Sequence, residues 1–431
     1  MKKRICFLLV LLLAASAVFA AGGAEEQSAE PAGPESIVIY LWDDAQYRAL
    51  VDMFNERQSD IIVEAEYIPT GEYEAKISTV LAGGLSLDGY FQKRSTDIFA
   101  HTNNGFIIPL DDLAKKAGVD LSIYDNYKDA ITVDGKTMAV PFRGASWYTY
   151  YNTKVFADAG IPTPETYVEK GEWTWAKFIE VAQAVSEKLP GTYGAHFHTW
   201  GSSNVIPALQ NGMQFIDENG NVDINDTLIN AYKYRKELET SGAMMTLAET
   251  RATKTHYSTA FYSGKVGMLV IGSWFPGFMK TGRDENSLQG FTWDDWSITR
   301  LPCDEKVYAS FGNPTFCHVS STSKKAETAF EFFAWLGGDE GAEQVAANGS
   351  LPALVTPAVK EAFAEVLPNE NALKYYLEPH KVNPQFYNKY GSLVESELAG
   401  IMEVYLEEDM TDAELKDMIV ERLKQVASQV Q

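Results

Sequence analysis

The sequence is poor in cysteine, in basic residues and in the short motifs that mark enzymes, and each shortage removes a class of protein. Three cysteines in 431 residues cannot build a disulfide framework, and no CxxC pair or Cys/His cluster has metal-ligand spacing. Lys and Arg total 36 against 59 Asp and Glu. That balance speaks against nucleic acid and anionic membrane as partners, because both reward clustered cations. There is no GxSxG, HExxH, Walker loop or dinucleotide fingerprint. Past the first twenty residues no apolar run is long enough to anchor the chain in a bilayer, and no internal repeat or low-complexity block occurs.

What is present begins with an export signal. Lys2, Lys3 and Arg4 precede the apolar stretch Cys6–Leu13, and Val18-Phe19-Ala20 offers small residues at the two positions a signal peptidase reads. Residues 1–20 are therefore expected to be a signal peptide cleaved near Ala20. No lipobox cysteine follows it, since Cys6 lies before the apolar stretch, so the product is unanchored and the periplasm is the expected compartment. Losing the signal leaves 33 basic residues against 59 acidic ones, a net charge of −26. "AGGAEEQSAEPAGPES", residues 21–36, is small, polar and acidic and is expected to be a flexible leader. Two cysteines remain, Cys303 and Cys317. A disulfide between them and a pair of buried thiols both stay open, the former adding about 3 kcal/mol by loop closure.

A length of 431 residues exceeds what one core supports, so two or three domains are expected. "SIVIYLWDD" reads as a buried strand, "AQYRALVDMFNER" carries Tyr47, Leu50, Val51 and Phe54 at helical spacing, and "DIIVEAEYIP" and "YEAKISTVLAGG" repeat the alternation. That rhythm implies a parallel sheet covered by helices. Texture shifts near 141, 300 and 352 suggest three crossings between two lobes, 37–141 with 303–351 and 142–302 with 352–431. In "FYSGKVGMLVIGSWFPG" an apolar strand ends on Gly272-Ser273, and Trp274 is left in the turn. Trp42-Asp43-Asp44 lies at another strand end. Ligands of open α/β folds sit beyond such ends, so the two places suggest one shared cleft.

Several segments together resemble the extracellular solute-binding proteins of ABC importers, the large sugar-binding type that includes the maltose and multiple-sugar binding proteins. "YYNTKVFADAGIP", "GEWTWAKF" and "FYSGKVGMLVIGSW" carry most of the resemblance, by their order and spacing. It implies an α/β fold of two lobes joined by a multi-strand hinge that closes on a sugar, docking on a membrane permease, a monomer, no cofactor and no catalysis. Position by position, Trp274 matches a stacking aromatic, and Asp44 a polar contact with Trp42 and Asp43 beside it. Gln92 and Lys93 match first-lobe contacts, although "LSLDGYFQKRSTD" departs from the family's usual pattern there. Arg143, Trp147 and Tyr148 follow the first crossing, and Trp200 lies in "HTWGSS", a second-lobe contact loop. Gly312-Asn313 matches a glycine-rich loop, and Tyr387 and Tyr390 fall near a C-terminal aromatic contact.

These residue types suit a sugar. Aromatic rings cover the apolar C–H face of a pyranose, while carboxylates, amides and guanidinium groups bind neighbouring hydroxyls. Each also has a packing alternative. Asp43-Asp44 fits a helix N-cap, Trp147 fits a core position among "YTYY", and Lys93 with Arg94 fits a solvated face. Trp173, Trp175, Trp293, Trp296 and Trp335 read as packing, and His196 with His198 lacks a third metal ligand. Lys93 and Arg143 keep a sugar acid or sugar phosphate open, and a polyol or a chemoreceptor partner is compatible with the same fold. A secreted carbohydrate-active enzyme using paired carboxylates is the alternative from another class; nothing singles out such a pair among the 59 acids.

Overall fold

A computed structural model describes residues 33–92 and 97–430. The expected signal peptide, most of the leader, and Lys93 lie outside the described residues. The first strand, Glu35–Trp42, begins inside the expected leader and buries alternate side chains, Ile37, Ile39 and Leu41. Asp44 then ends the extended backbone and caps the helix Ala45–Arg57, accepting from the Gln46 amide at 2.9 Å. That helix lays Tyr47, Leu50, Val51 and Phe54 on the sheet, at the spacing the sequence shows.

Two sheets result. In the first, the strand order is Ile61–Ile68, Glu35–Trp42, Gly89–Gln92, Thr315–Val319, Val140–Arg143. The first three run parallel, as expected, but Thr315–Val319 enters antiparallel to both its neighbours. It does so because it returns from the second sheet rather than through a helix on the same face. The second sheet has the order Trp296–Thr299, Trp147–Asn152, Val266–Gly272, Tyr193–Phe197. Val266–Gly272 is buried along its whole length, because strands flank it on both sides and helices cover both faces. Helix Trp175–Lys188 comes so close that a side chain on Gly194 would lie 1.9 Å from the Ala182 carbonyl oxygen.

Each sheet has its own core. Residues from Ile37 to Phe142 and from Phe316 to Leu336, with Val345, form one; residues from Trp147 to Phe311 and from Val359 to Val426, with Ala342 and Ala346, form the other. The second passage between cores therefore falls at 312–315, later than the sequence texture suggested, because Leu301 and Phe311 both pack in the second core. The connecting segments lie side by side. Gly144 donates to Leu351 O at 2.8 Å, Ala353 to Phe142 O at 3.1 Å, and Ser273 to Ser146 O at 2.8 Å.

The disulfide alternative is overturned, as both cysteines are free thiols. Cys317 is fully buried in the first core. Cys303 is half-buried against the second lobe, its amide bonded to Trp173 O at 2.9 Å, so the fold separates the two. Burial pushes both thiols up. Dithiothreitol is expected to leave the melting temperature unchanged, and a thiol reagent to label Cys303 in the native protein but Cys317 only after unfolding. A melting point that drops on reduction would reveal a bridge instead.

Candidate ligand cleft

The first wall is one end of the first sheet, where Trp42, Gln92 and Arg143 each end a strand. Register places Gln92 opposite Phe316 and Arg143 opposite Thr315, on the two flanks of the returning strand. Trp42 is buried edge-on against Tyr47 (4.9 Å between ring centres), Tyr73 (5.4 Å) and Phe91 (6.4 Å), so it backs the wall more than it faces the cleft. Asp43 points outward to Arg48 at 2.8 Å, and that exposed bond holds its carboxyl below the usual range.

Asp44 is half-buried at the helix cap. Arg143 is 8% exposed, donates to the Tyr47 hydroxyl, and lies 5.5 Å over the Tyr47 ring. Burial opposes its charge, but Tyr47 and Asp44 favour it and the balance is upward. Among the described residues no carboxylate forms an ion pair with Arg143. The wall thus offers one carboxylate and one guanidinium that act on each other without neutralising by contact.

The second wall is aromatic. Trp147, paired with Gly272 across the second sheet, stacks on Phe311 (4.9 Å, 25°) and meets Trp274 (6.0 Å, 85°) and Trp200 (6.3 Å, 76°) edge-on. Trp200 and Trp274 are 6.0 Å apart. Trp147 is the buried base, while Trp200 is 37% exposed and Trp274 half-buried. Trp274 does not project from its turn. Its ring folds back over Gly272, where a Cβ would lie 2.0 Å from the indole, and its Nε1 donates to the Tyr257 hydroxyl at 3.0 Å.

Three histidines stand behind this wall. His198 packs edge-on to Trp200 (4.6 Å) and Tyr257 (5.2 Å), and His256 lies 3.9 Å from the Tyr257 ring. Burial first, then His256 and Arg235, pushes His198 down to about 4; burial, with neighbouring His198 and Arg235, pushes His196 down to about 3. Both are neutral imidazoles at physiological pH.

The remaining expected residues are elsewhere. Tyr148 is buried and donates to Tyr376 O at 2.9 Å. Asn313 clamps the backbone of Gln385 with bonds of 2.6 and 2.9 Å, and Gly312, at φ 150°, donates to Asn383 O. Tyr390 is in the second core. Tyr387 is carried by the second-lobe segment but rests on the first lobe, 5.2 Å from the Phe99 ring. So the fold gathers Trp147, Trp200 and Trp274 on one side and Asp44, Arg143 and Gln92 on the other, whereas Asp43, Tyr148, Asn313 and Tyr390 serve packing or bracing. Sequence reasoning missed Tyr257, His256 and Phe311. Tyr257 opens the short helix Tyr257–Tyr262, and no local pattern announces a bond to an indole in a later turn.

Comparison with known proteins assigns the arrangement. Residues 41–343 match the family model for bacterial extracellular solute-binding proteins. The chain belongs to that family. A lactose-binding protein of Rhizobium radiobacter is 23% identical over 309 residues, 69% of each chain. A sugar transporter from Rhizobium etli, solved in an open conformation, superposes with a TM-score of 0.72 at 27% identity, over 90% of this chain and 99% of that one. An ABC substrate-binding protein from Listeria monocytogenes in complex with cycloalternan gives a TM-score of 0.74 at 20% identity, over 92% and 98%, a likeness of fold. The two sheets with their separate cores are thus the two lobes of a solute-binding protein, and among the described residues no helix is long and apolar enough to cross a membrane.

Proposed function

We propose that this solute-binding protein takes a carbohydrate between its lobes, closes on it through the connections at 143–146, 312–315 and 349–353, and delivers it from the periplasm to the permease of an ABC importer, acting as a non-catalytic monomer. The observation that carries the reading is the apposition of three indoles on the second wall to Asp44 and Arg143 on the first. Apolar faces would cover the C–H side of a sugar ring, and the charged pair would bind its hydroxyls. Closure follows because a ligand touching both walls has higher affinity for the closed state. Lactose and cycloalternan binding by the relatives supports the substrate class.

The test is a thermal-shift screen of ligand-stripped mature protein against mono-, di- and oligosaccharides, polyols and sugar acids. Binding to the native state alone raises the melting temperature, by an amount that corresponds to about 2.7 kcal/mol at a hundredfold excess over Kd. One observation favours a second reading: Arg143 is a buried cation that no carboxylate among the described residues ion-pairs, which suits a sugar acid. Hits confined to acids would select that reading. With the ligand in hand, Trp274→Ala should weaken binding by about 2 kcal/mol or more, roughly 30-fold, with the melting point of the free protein nearly kept. Titration calorimetry giving an unchanged Kd would remove Trp274 from the site.

A further inference from the structure

We propose that Tyr257 is a positioning residue that fixes the Trp274 face and ties it to the charged pair on the opposite wall, so that stacking on one lobe and polar recognition on the other act as one unit. The proposal rests on the reading of this cleft as the ligand site. Trp274 has little else to set its angle. It follows a Gly-Ser turn, folds over a residue with no side chain, and meets Trp147 and Trp200 through inclined rings at 85° and 56°. The indole N–H is its one polar handle, and that handle is held by Tyr257 at 3.0 Å.

Tyr257 is itself closely packed. It is 3% exposed and touches the rings of His256 (3.9 Å), His198 (5.2 Å), Phe278 (5.5 Å), Trp200 (5.8 Å) and Phe275 (6.1 Å). A phenol oxygen accepts twice and donates once. Here it accepts from Trp274, and among the described residues its own proton is given to no hydrogen-bond acceptor. Burial keeps the hydroxyl protonated, with Asp44 and Arg143 near enough to act on it in opposite senses. On this proposal the Tyr257 proton goes to a ligand oxygen held between those two groups. A hydroxyl that donates becomes a better acceptor, so the bond it gives the ligand tightens its hold on Trp274.

The experiment uses mature protein labelled with 15N at tryptophan. Nine indole cross-peaks are expected, and the Trp274 peak is the one lost in Trp274→Phe. In ligand-free Tyr257→Phe the Trp274 peak should move upfield, as an indole N–H does when it loses an acceptor, while peaks from distant tryptophans such as Trp335 stay in place. With the sugar found by the screen, Tyr257→Phe should weaken binding about tenfold, the size of one lost hydrogen bond. In an Asp44→Asn background the same change should cost less than threefold, because the charge it works with is gone. A Trp274 peak that does not move, or an equal loss of affinity in both backgrounds, would overturn the proposal. Should Tyr257→Phe unfold, Trp274→Phe removes the same bond from the other side, and its affinity loss must show the same dependence on Asp44. If no saccharide binds, the functional reading fails, and the indole spectrum still decides whether Tyr257 positions Trp274.

Discussion

Replacing Gly272 by alanine should weaken ligand binding at least a hundredfold, about 2.8 kcal/mol, in a protein that still folds. The Cβ would be placed 2.0, 2.3 and 2.6 Å from three carbons of the Trp274 ring. No real contact is that short, so the indole must leave. The backbone is less able to yield, since Gly272 is paired with Trp147 in the sheet and its carbonyl accepts from Tyr150 Oη at 3.1 Å. Displacing the ring breaks the Nε1 bond to Tyr257 and opens the edge contacts with Trp147 and Trp200. Overpacking of this kind costs about 1–3 kcal/mol of stability, which a chemical denaturation curve would register. Gly400→Ala is the control: it lies within the helix Gly391–Glu407 with nothing near its added methyl group, and it should bind as the parent does. Wild-type affinity in Gly272→Ala would mean that the aromatic wall is not where the ligand sits.

That prediction was beyond the sequence, and the reason is physical. Strand and helix around Asp44 were legible because their causes are local: an apolar run, a capping side chain, and four apolar residues at helical spacing. The lobes were legible through the same periodicities and through family resemblance. Which tryptophans would meet was another matter. "IGSW" marks a turn carrying an indole, but whether that indole points outward or lies back on its own glycine depends on Tyr257, on a separate helix. Asp43 and Asp44 are adjacent and chemically equal, yet one is turned to Arg48 at the surface and the other caps a helix at the cleft. Only the direction of the chain at that residue decides between them. Cys303 and Cys317 are fourteen positions apart in sequence, but Cys317 sits in the first core while Cys303 is half-buried against the second lobe, because the chain changes lobe between them.

The second large effect is a loss of stability in mild acid that sets in before carboxylates begin to titrate. Three histidines are buried as neutral rings. His318 lies in the first core, its Nδ1 at 2.8 Å from Met138 O, and burial pushes it down to about 3; His196 is also at about 3 and His198 at about 4. In the unfolded chain each returns to about 6.5. Between those values the unfolded state binds more protons than the native state, so stability rises with pH across the window and falls as pH drops from about 6.5. One unit of separation is worth about 1.4 kcal/mol. At pH 5 each histidine therefore withdraws about 2 kcal/mol, and the three together about 6 kcal/mol as an upper bound, a large share of the 5–15 kcal/mol typical of a folded protein. The carboxylates held low by hydrogen bonds, such as Asp43, Asp217 and Glu378, lose their contribution only below this range. Relief of the strong negative charge also begins only there, so neither masks the histidines between pH 6.5 and 5. Urea unfolding at half-unit steps should give a falling free energy whose slope approaches at least three protons, since burial also holds His256 and His380 low. A flat profile above pH 5 would mean that these rings are hydrated or protonated in the native state, and that the second wall, where His198 supports Trp200 and Tyr257, is looser than its packing implies.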